Sequence, residues 1–310
     1  MSRRSELKTV PSLVVATLLA IAVPAGRAQT AQQPPPDRPA VTVQGITYTP
    51  RSILARNMGT LEDQTTAFPP HRIIGNIYYV GTRTLSSFLV ATPQGNILID
   101  STYERNVLTI RRSIEQLGFK FSDIKILLGN HAHTDHQEGD ALVKQMTGAQ
   151  VMAMAEDVPA LRAMKPGGKE HPIDKVLHDG DVVTLGGMML VAHLTAGHTR
   201  GCTTWTTKAQ EDGKTYDIVF NCSLRAPALL TPAIVDELNR SFRLVRSLPC
   251  AVPLGDHPAQ YRMQEKFGKL KNRGPNPFVD PAGCLLEADI QEAMFLSVLD
   301  EQRKVARPQQ

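Results

Sequence analysis

The sequence predicts a mixed α/β fold in which helices cover the outer faces of β-sheets. Apolar residues make up 42% of the 310 residues, so the chain can build a sizeable core. From about residue 70, short β-branched segments and amphipathic helical segments follow one another in two rounds. Strands placed between helices in this way are typical of sheets with helices packed on their outside.

The first round consists mostly of strands. A turn at 93–95 separates two of them, and Gly118 ends the helix that follows. That helix places Val107, Ile110 and Ile114 on one face, as an amphipathic helix requires. In chain order, the sequence predicts strands at 74–80, 87–92 and 96–100, a helix at 104–117 and a strand at 124–128.

The second round begins with a strand and a short helix and ends in two long helices. Its central strands are short and rich in β-branched residues, and turn residues separate them. In chain order, the sequence predicts a strand at 151–154, a helix at 159–164, strands at 182–184, 188–193, 203–207 and 217–221, and helices at 233–248 and 286–305.

Residues 1–28 resemble a signal peptide. Arg3, Arg4 and Lys8 give a charged start, and the apolar stretch that follows is too short to span a bilayer as a stable helix. The paired arginines also resemble a twin-arginine signal, so the general secretory and twin-arginine routes both stay open. Residues 29–50 begin with a polar, proline-rich stretch and are expected to form a flexible linker. We therefore expect export to an oxidising compartment, a bacterial periplasm, with no membrane segment in the mature chain.

The net charge of +4 argues against a nucleic-acid partner. Much of this charge lies in the first 28 residues, and no long stripe of lysine and arginine follows. The sequence does not indicate an oligomeric state.

Four cysteines lie after the expected signal peptide. In an exported protein the usual outcome is two disulfides, and four cysteines allow three pairings. The alternative is that one of them binds a metal ion. The residues concerned are Cys202, Cys222, Cys250 and Cys284.

The run from His131 to His136 places four metal-ligand side chains within six residues. His131 and His133 can point the same way from an extended segment, whereas Asp135 and His136 follow after the chain turns. Each zinc ion binds about four nitrogen, oxygen or sulfur ligands. The run therefore predicts two groups of ligands facing two metal ions, each group needing one more protein ligand.

Two distant histidines fit the missing positions. His198 lies between glycines directly after the strand that ends near His193, and glycine lets the backbone pass close to a site. His257 lies in a Gly-Asp-His-Pro sequence after the apolar residues 251–254. We therefore expect His198 and His257 to supply the two missing protein ligands. The histidine-rich set favours zinc over iron or manganese.

The run 131–136, the sequence Gly197-His198-Thr199 and the later His257 resemble the metallo-β-lactamase superfamily. The resemblance spans roughly residues 70–300. It implies an αββα sandwich with two zinc ions at one edge, and we place a single catalytic domain at residues 51–310.

The superfamily also includes thioesterases, lactonases, nucleases and redox enzymes. Thioesterase-type members usually carry a bridging aspartate between the last two histidines, and residues 219–224 contain no acid. Redox-active di-iron members replace the second histidine of the run with glutamate, whereas His133 stands here. One subclass of class B β-lactamases uses a cysteine ligand, which makes Cys222 a candidate. His136 and His257 instead supply a complete second group, as in the third subclass.

The resemblance to this third subclass implies a role for each site residue. His131, His133 and His198 bind the first zinc, Asp135, His136 and His257 bind the second, and Asp135 also orients the nucleophile. Ser223 faces the carboxylate of the substrate. Arg225 stands where relatives often carry a small hydroxylated residue, so it either pairs with that carboxylate or is a solvated surface arginine. Because Cys222 is then not needed as a ligand, we pair it with Cys202, and Cys250 with Cys284.

The implied activity is hydrolysis of the β-lactam amide bond of penicillins, cephalosporins and carbapenems by a zinc-bound hydroxide, which would confer antibiotic resistance. One alternative is another exported hydrolase of the same fold, acting on lactones or thioesters. A second alternative is a non-catalytic zinc-binding protein.

Overall fold

The computed structural model describes residues 37–272 and 274–306. The expected signal peptide at 1–28 and the first part of the expected linker lie outside these residues.

Fourteen strands and eight α-helices form the described part of the chain, together with short 3-10 turns. The strands are β1 (Val41–Val43), β2 (Ile46–Tyr48), β3 (His71–Ile74), β4 (Ile77–Tyr79), β5 (Phe88–Thr92), β6 (Gly95–Ile99), β7 (Ile124–Leu128), β8 (Gln150–Met154), β9 (Lys175–Leu177), β10 (Val182–Leu185), β11 (Met188–Leu194), β12 (Thr203–Glu211), β13 (Lys214–Asn221) and β14 (Val252–Gly255). The helices are α1 (Pro50–Met58), α2 (Val107–Gln116), α3 (Thr134–Gln137), α4 (Asp140–Thr147), α5 (Val158–Met164), α6 (Pro232–Ser247), α7 (Met263–Lys269) and α8 (Leu286–Ala306).

Two large sheets organise the fold. The first contains β3 to β9 in sequence order, antiparallel from β3 to β6 and parallel from β6 to β9. The second contains β10 to β14 in sequence order, antiparallel except for the parallel pair β13–β14. Parallel neighbours end at the same edge of a sheet, so the loops after β6, β7 and β8 come together, as do those after β13 and β14.

The main core lies between the two sheets. Side chains alternate along a strand, so Ile97 and Ile99 of β6 face this core while Leu98 faces the other side. The rings of Phe88 from the first sheet and Phe220 from the second meet edge to face, with centroids 5.1 Å apart. The two sheets are therefore packed face to face through apolar and aromatic side chains.

Helices cover the outside of this sandwich. On the first sheet, Leu98 and Leu127 pack against Ile110 of α2 and Val143 of α4. Helices α6 and α8 pack together through a separate cluster that includes Phe242 and Phe295. The predicted αββα fold class is confirmed.

The predicted strand at 74–80 was wrong as a single element. Gly75 adopts a left-handed backbone with φ 53° and makes a tight turn, so the segment is a hairpin of β3 and β4. A Cβ atom at this position would lie 2.8 Å from the carbonyl oxygen of Gln210, which also favours glycine.

The expectation of a flexible linker at 29–50 was wrong for residues 41–50. Strands β1 and β2 form a hairpin, and α1 begins at Pro50 behind a capping Thr49. Tyr48 and Ile53 are buried against Ile290 and Met294 of α8. The polar composition of 29–40 does not extend into this segment, which gains its order from packing on the last helix.

The two expected cysteine pairs are both present as disulfides, Cys202–Cys222 and Cys250–Cys284. Within residues 37–306, no described helix is both long enough and apolar enough to cross a membrane.

Candidate metal centre

The site is built by loops that follow the ends of strands. His131, His133, Asp135 and His136 follow β7, His198 follows β11, and His257 follows β14. Trp205 of β12 is 1% exposed and donates a hydrogen bond from its indole nitrogen to the carbonyl oxygen of Gly129, 3.2 Å away. The inner core therefore fixes the start of the histidine run directly.

The six predicted ligand residues come together in two groups of three. His131, His133 and His198 have ligand atoms within 4.8 Å of one another, and their ring centroids lie 4.7 to 4.8 Å apart. Asp135, His136 and His257 form a second such group. This is the division between two groups that the sequence predicted, and their role as metal ligands stays a prediction.

The local backbone explains how one run serves both groups. Residues 130–133 form bends after β7, and His133, whose own backbone is extended, is the N-cap residue of α3. Asp135 and His136 lie in the single turn of α3, so their side chains leave in a different direction from those of His131 and His133. The backbone nitrogen of His133 donates a hydrogen bond of 2.9 Å to the carbonyl oxygen of His131.

Backbone carbonyls orient the two distant histidines. His198 Nδ1 lies 2.9 Å from the carbonyl oxygen of Arg225, and His257 Nδ1 lies 3.0 Å from that of Thr84. A ring nitrogen facing a carbonyl oxygen must carry the proton, which leaves Nε2 with a free lone pair. Both rings therefore present Nε2 as the ligand atom.

Buried aspartates stand behind two of the three remaining rings. Asp256 Oδ2 lies 3.4 Å from His131 Nδ1, and Asp100 Oδ2 lies 3.2 Å from His136 Nδ1. Asp100 holds a left-handed backbone with φ 61° at the end of β6, an uncommon conformation for a residue other than glycine. Carboxylates in this position fix the orientation of histidine ligands and raise their basicity.

Sequence reasoning missed Asp100 and Asp256. Both directly follow a strand, and Asp256 is the neighbour of His257, so acidic residues at strand ends were the available signal. The pairing of Asp100 with His136 joins residues 36 positions apart, which only the tertiary fold reveals.

Burial and neighbouring charges favour neutral imidazoles in the first group. Burial and the other histidines hold the pKa of His131 well below the usual value. Burial, followed by Arg225 and then His133, does the same to the pKa of His198. Burial likewise lowers the pKa of His133. Neutral imidazole is the form that binds metal ions.

In the second group, interactions between carboxylates and histidines decide the direction of the pKa shifts of Asp135 and His136. Burial lowers the pKa of His136, but Asp135 and Asp100 outweigh burial and raise it well above the usual value. Burial raises the pKa of Asp135, but His136 and His257 outweigh burial and hold it well below the usual range. Burial raises the pKa of Asp100 to about 6, against the opposing effect of His136. The Asp135 and Asp100 carboxylates thus favour a positive charge at the position of His136.

The donor set fits metal ions. His136 Nε2 is buried and has no hydrogen-bond partner among the described residues, although it lies 3.3 Å from Asp135 Oδ2. A buried polar atom without a partner costs free energy unless another group satisfies it. Histidine nitrogens with a single carboxylate are typical zinc ligands, and three protein ligands leave one position open for water or substrate.

The cysteine alternative is resolved by the disulfide. Cys222 Sγ lies 3.6 Å from His131 Nδ1, and the two cysteines with His131 are close enough to form a ligand group of their own. Both sulfurs are bonded to each other, so neither is a thiolate available to a metal ion.

The two residues expected to bind substrate lie beside the metal-binding groups. Ser223 is buried, and its backbone nitrogen donates to Asp256 Oδ2 over 2.9 Å. The Arg225 guanidinium is close enough to act on the pKa values of His133 and His198. Within residues 37–306, no described carboxylate lies within 4.0 Å of this guanidinium.

The family model of the metallo-beta-lactamase superfamily matches residues 80–252, more than half of the chain. The chain belongs to the metallo-beta-lactamase superfamily. The matched region begins at the end of β4 and includes every element from β5 to β13. It contains the whole histidine run and His198, and it ends shortly before His257.

Solved metallo-beta-lactamases resemble this superfamily member along nearly their whole length. The native FEZ-1 enzyme from Legionella gormanii is 43% identical, with 77% of this chain and 98% of that chain covered and a TM-score of 0.73. The subclass B3 enzyme BJP-1 from Bradyrhizobium japonicum is 34% identical, with 80% and 99% covered and a TM-score of 0.74. The resemblance to the third subclass is confirmed, and the chain is a hydrolase of this superfamily.

A curated relative points to another substrate over a shorter segment. A hydroxyacylglutathione hydrolase from Methylobacterium nodulans is 33% identical over 89 residues, which is 29% of this chain and 30% of the relative. The match thus covers less than a third of that protein.

Proposed function

We propose that this metallo-beta-lactamase superfamily member hydrolyses the amide bond of β-lactams with two zinc ions. The ions would occupy the groups His131/His133/His198 and Asp135/His136/His257. The observation that carries the proposal is the composition of the second group, which has three protein ligands without any cysteine or second aspartate.

The end of β13 supports a β-lactamase over a thioesterase. Thioesterase-type members usually place a bridging aspartate here, and residues 219–224 contain no acid. Asn221 occupies the last position of β13, and its Nδ2 lies 3.4 Å from the carbonyl oxygen of Leu254 within the sheet. Its side chain is therefore directed to the neighbouring strand and not to the histidines.

When bound, zinc ions polarise a substrate carbonyl and lower the pKa of a coordinated water to about 7. The protein contributes the geometry. Asp100, Asp256 and the carbonyls of Thr84 and Arg225 hold the histidine rings in fixed orientations. Asp135 stays ionised because of the histidines around it, so its second oxygen can accept a hydrogen bond from the attacking water and orient it.

Arg225 suits the carboxylate that β-lactams carry beside the reactive ring. It is partly buried, lacks a carboxylate partner among the described residues, and lies next to both metal-binding groups. A charge-assisted pair in such a place is stronger than one in open solvent. Ser223, two residues earlier, would add a hydroxyl to the same subsite.

Hydrolysis of a glutathione thioester is the second candidate, favoured by the short match to hydroxyacylglutathione hydrolase. A substrate panel separates the two. Zinc-loaded protein is assayed with a penicillin, a carbapenem, a lactone and S-lactoylglutathione, before and after dialysis against a chelator. Lactam cleavage that the chelator abolishes and zinc restores supports the proposal. Turnover of the thioester or lactone alone contradicts it, and zinc binding without any turnover indicates a non-catalytic protein.

We also propose that the chain acts in the periplasm and confers resistance to β-lactams there. The charged and apolar start of the sequence and the two disulfides support an oxidising compartment. Fractionation of expressing cells, with the minimum inhibitory concentration of a carbapenem measured in parallel, tests this. Activity confined to the cytoplasmic fraction contradicts it.

A further inference from the structure

We propose that Asp157 is the positioning residue of the first metal-binding group, joining the two loops that carry all three of its histidines. This inference rests on the proposed two-metal site and concerns metal affinity, whatever the substrate. Asp157 follows β8, is 3% exposed, and is not itself one of the six ligand residues.

The Asp157 carboxylate accepts hydrogen bonds from both loops. Its Oδ2 accepts from the backbone nitrogen of Ala132 over 2.9 Å, and Ala132 stands between His131 and His133. Its Oδ1 accepts from the backbone nitrogen of Gly201 over 2.7 Å.

A third hydrogen bond comes from the side of His198. Thr199 directly follows His198, and its hydroxyl donates to Asp157 Oδ2 over 2.8 Å. One buried side chain therefore holds a position beside each of the three ligands of the first group.

The local surroundings of Asp157 do not require a carboxylate. Asp157 is the N-cap residue of α5, where aspartate commonly accepts a hydrogen bond from its own helix, but its side chain makes no capping bond there. No described residue forms a salt bridge with it in 37–306. Its three side-chain hydrogen bonds to described residues reach the histidine loops and not its own helix.

Close backbone approach strengthens this arrangement. A Cβ atom at Gly201 would lie 2.5 Å from the backbone nitrogen of Asp157 and 2.6 Å from its Cβ, so only glycine fits without a shift. A larger residue at 201 would push the His198 loop away from Asp157. Gly201→Ala should therefore reproduce the effect of losing the carboxylate.

Charge gives the carboxylate a second effect on the first group. Its three predicted ligands are all histidines, whose imidazoles bring no negative charge to a divalent cation. The buried Asp157 carboxylate lies beside them through its hydrogen bonds to Ala132 and Thr199. Removal of that charge should weaken the first metal more than the second, which has Asp135 as a direct ligand.

The test is a metal titration of full-length, metal-depleted protein, with zinc or cobalt(II) and a competing chromogenic chelator. The variants are Asp157→Asn, which turns an amide hydrogen toward a donor, Gly201→Ala, and the milder Thr199→Val. Asp174→Asn is the control, because Asp174 is also an aspartate whose carboxylate accepts a hydrogen bond from a backbone nitrogen. That nitrogen belongs to Val151, 2.8 Å away, and Asp174 also pairs with Lys144. His198→Ala identifies which binding event belongs to the first group.

We expect Asp157→Asn to weaken the first-group event by about 10–100-fold, as for other residues that support metal ligands. Metal affinity of the second group and the unfolding midpoint of the metal-free protein should stay close to those of the control. Thr199→Val should show a smaller loss in the same event. Excess zinc should restore the hydrolytic rate of Asp157→Asn with whichever substrate the wild type uses.

Three outcomes would overturn the proposal. These are wild-type affinity for both metals in Asp157→Asn, equal weakening of both events, and loss of apo-protein stability without any selective change in the first event. If Asp157→Asn fails to fold, unchanged first-group affinity in Thr199→Val also overturns it. A wild type that cleaves no β-lactam refutes the proposed function but leaves this titration interpretable.

Discussion

Cys222 Sγ lies 3.6 Å from the Nδ1 atom of the metal-ligand candidate His131. The Cys202–Cys222 disulfide therefore forms part of the wall behind the first metal-binding group. The other disulfide, Cys250–Cys284, joins the segment before β14 to the segment before α8 and makes no such contact with the described histidines.

This difference predicts distinct effects for the two disulfides. Closing chain segments of these lengths contributes about 3 kcal/mol each, so Cys202→Ser/Cys222→Ser and Cys250→Ser/Cys284→Ser should both lower the free energy of unfolding. Only the first double variant should also weaken metal binding, because its serines face His131. Urea unfolding and metal titration of both variants check this. Equal metal affinity in the two would contradict a role for the first disulfide in the site.

Loss of a ligand should remove metal and activity together. His198→Ala deletes one of three ligands of the first group, and support residues alone are worth about 10–100-fold, so we expect a loss above about 100-fold in kcat/KM. Metal analysis should show fewer bound ions per chain. The exposed His178 provides the control His178→Ala, which should match the wild type in both measurements. Full metal content and rate in His198→Ala would refute the assignment.

Arg225→Ala should act mainly on substrate affinity. The His198 ring is held by the backbone carbonyl of Arg225, which the substitution keeps, so the metal site should stay intact. Loss of one charge-assisted hydrogen bond to the substrate carboxylate predicts a rise of about 10-fold or more in KM, with a smaller change in kcat. The exposed Arg200 gives the control Arg200→Ala. An unchanged KM for a carboxylate-bearing β-lactam would mean that Arg225 does not bind it.

The sequence predicted best what depends on local pattern. The amphipathic helix around Ile110, the strand at 124–128 and the histidine run after it all follow from spacing within a few residues. The ligands were predicted because the run 131–136 places four ligand-type side chains within six residues, and because His198 and His257 each follow a predicted apolar segment close to a glycine.

The remaining features depend on tertiary contacts. The hairpin at 41–48 consists of two strands of three residues, too short for a clear alternating pattern, and it is ordered by burial of Tyr48 against α8. Asp100 and Asp157 serve the site from separate loops, and although Asp100 directly follows a strand, no sequence pattern pairs either residue with a particular histidine loop. A single sequence does not reveal which distant acid a ring nitrogen will face.

The surroundings of His171 predict a pH-dependent contribution to the free energy of unfolding. Its Nε2 lies 3.2 Å from both Asp140 Oδ2 and the carbonyl oxygen of Gln137, and its Nδ1 lies 3.1 Å from the carbonyl oxygen of Pro172. Burial lowers the pKa of His171, but the Asp140 carboxylate and these carbonyls outweigh burial and raise it. The folded state therefore binds the His171 proton more tightly than the unfolded state does.

The stability from this proton is fully present below the unfolded pKa of about 6.5 and is lost as pH rises through the higher folded pKa. The free energy of unfolding of zinc-saturated wild type should therefore exceed that of His171→Asn most at about pH 6, and the difference should shrink toward about pH 9. Comparing the two variants at each pH cancels the pH dependence of zinc binding that they share. A difference that is constant or grows with pH would contradict a protonated His171.

A zinc titration of metal-depleted protein will show whether two bound zinc ions open β-lactams. Carbapenem hydrolysis is measured at each addition, alongside the number of ions bound per chain. We expect no hydrolysis without metal and a rate that rises until both groups, His131/His133/His198 and Asp135/His136/His257, are filled. Hydrolysis by the metal-free protein, or no hydrolysis when both groups hold zinc, would contradict this expectation.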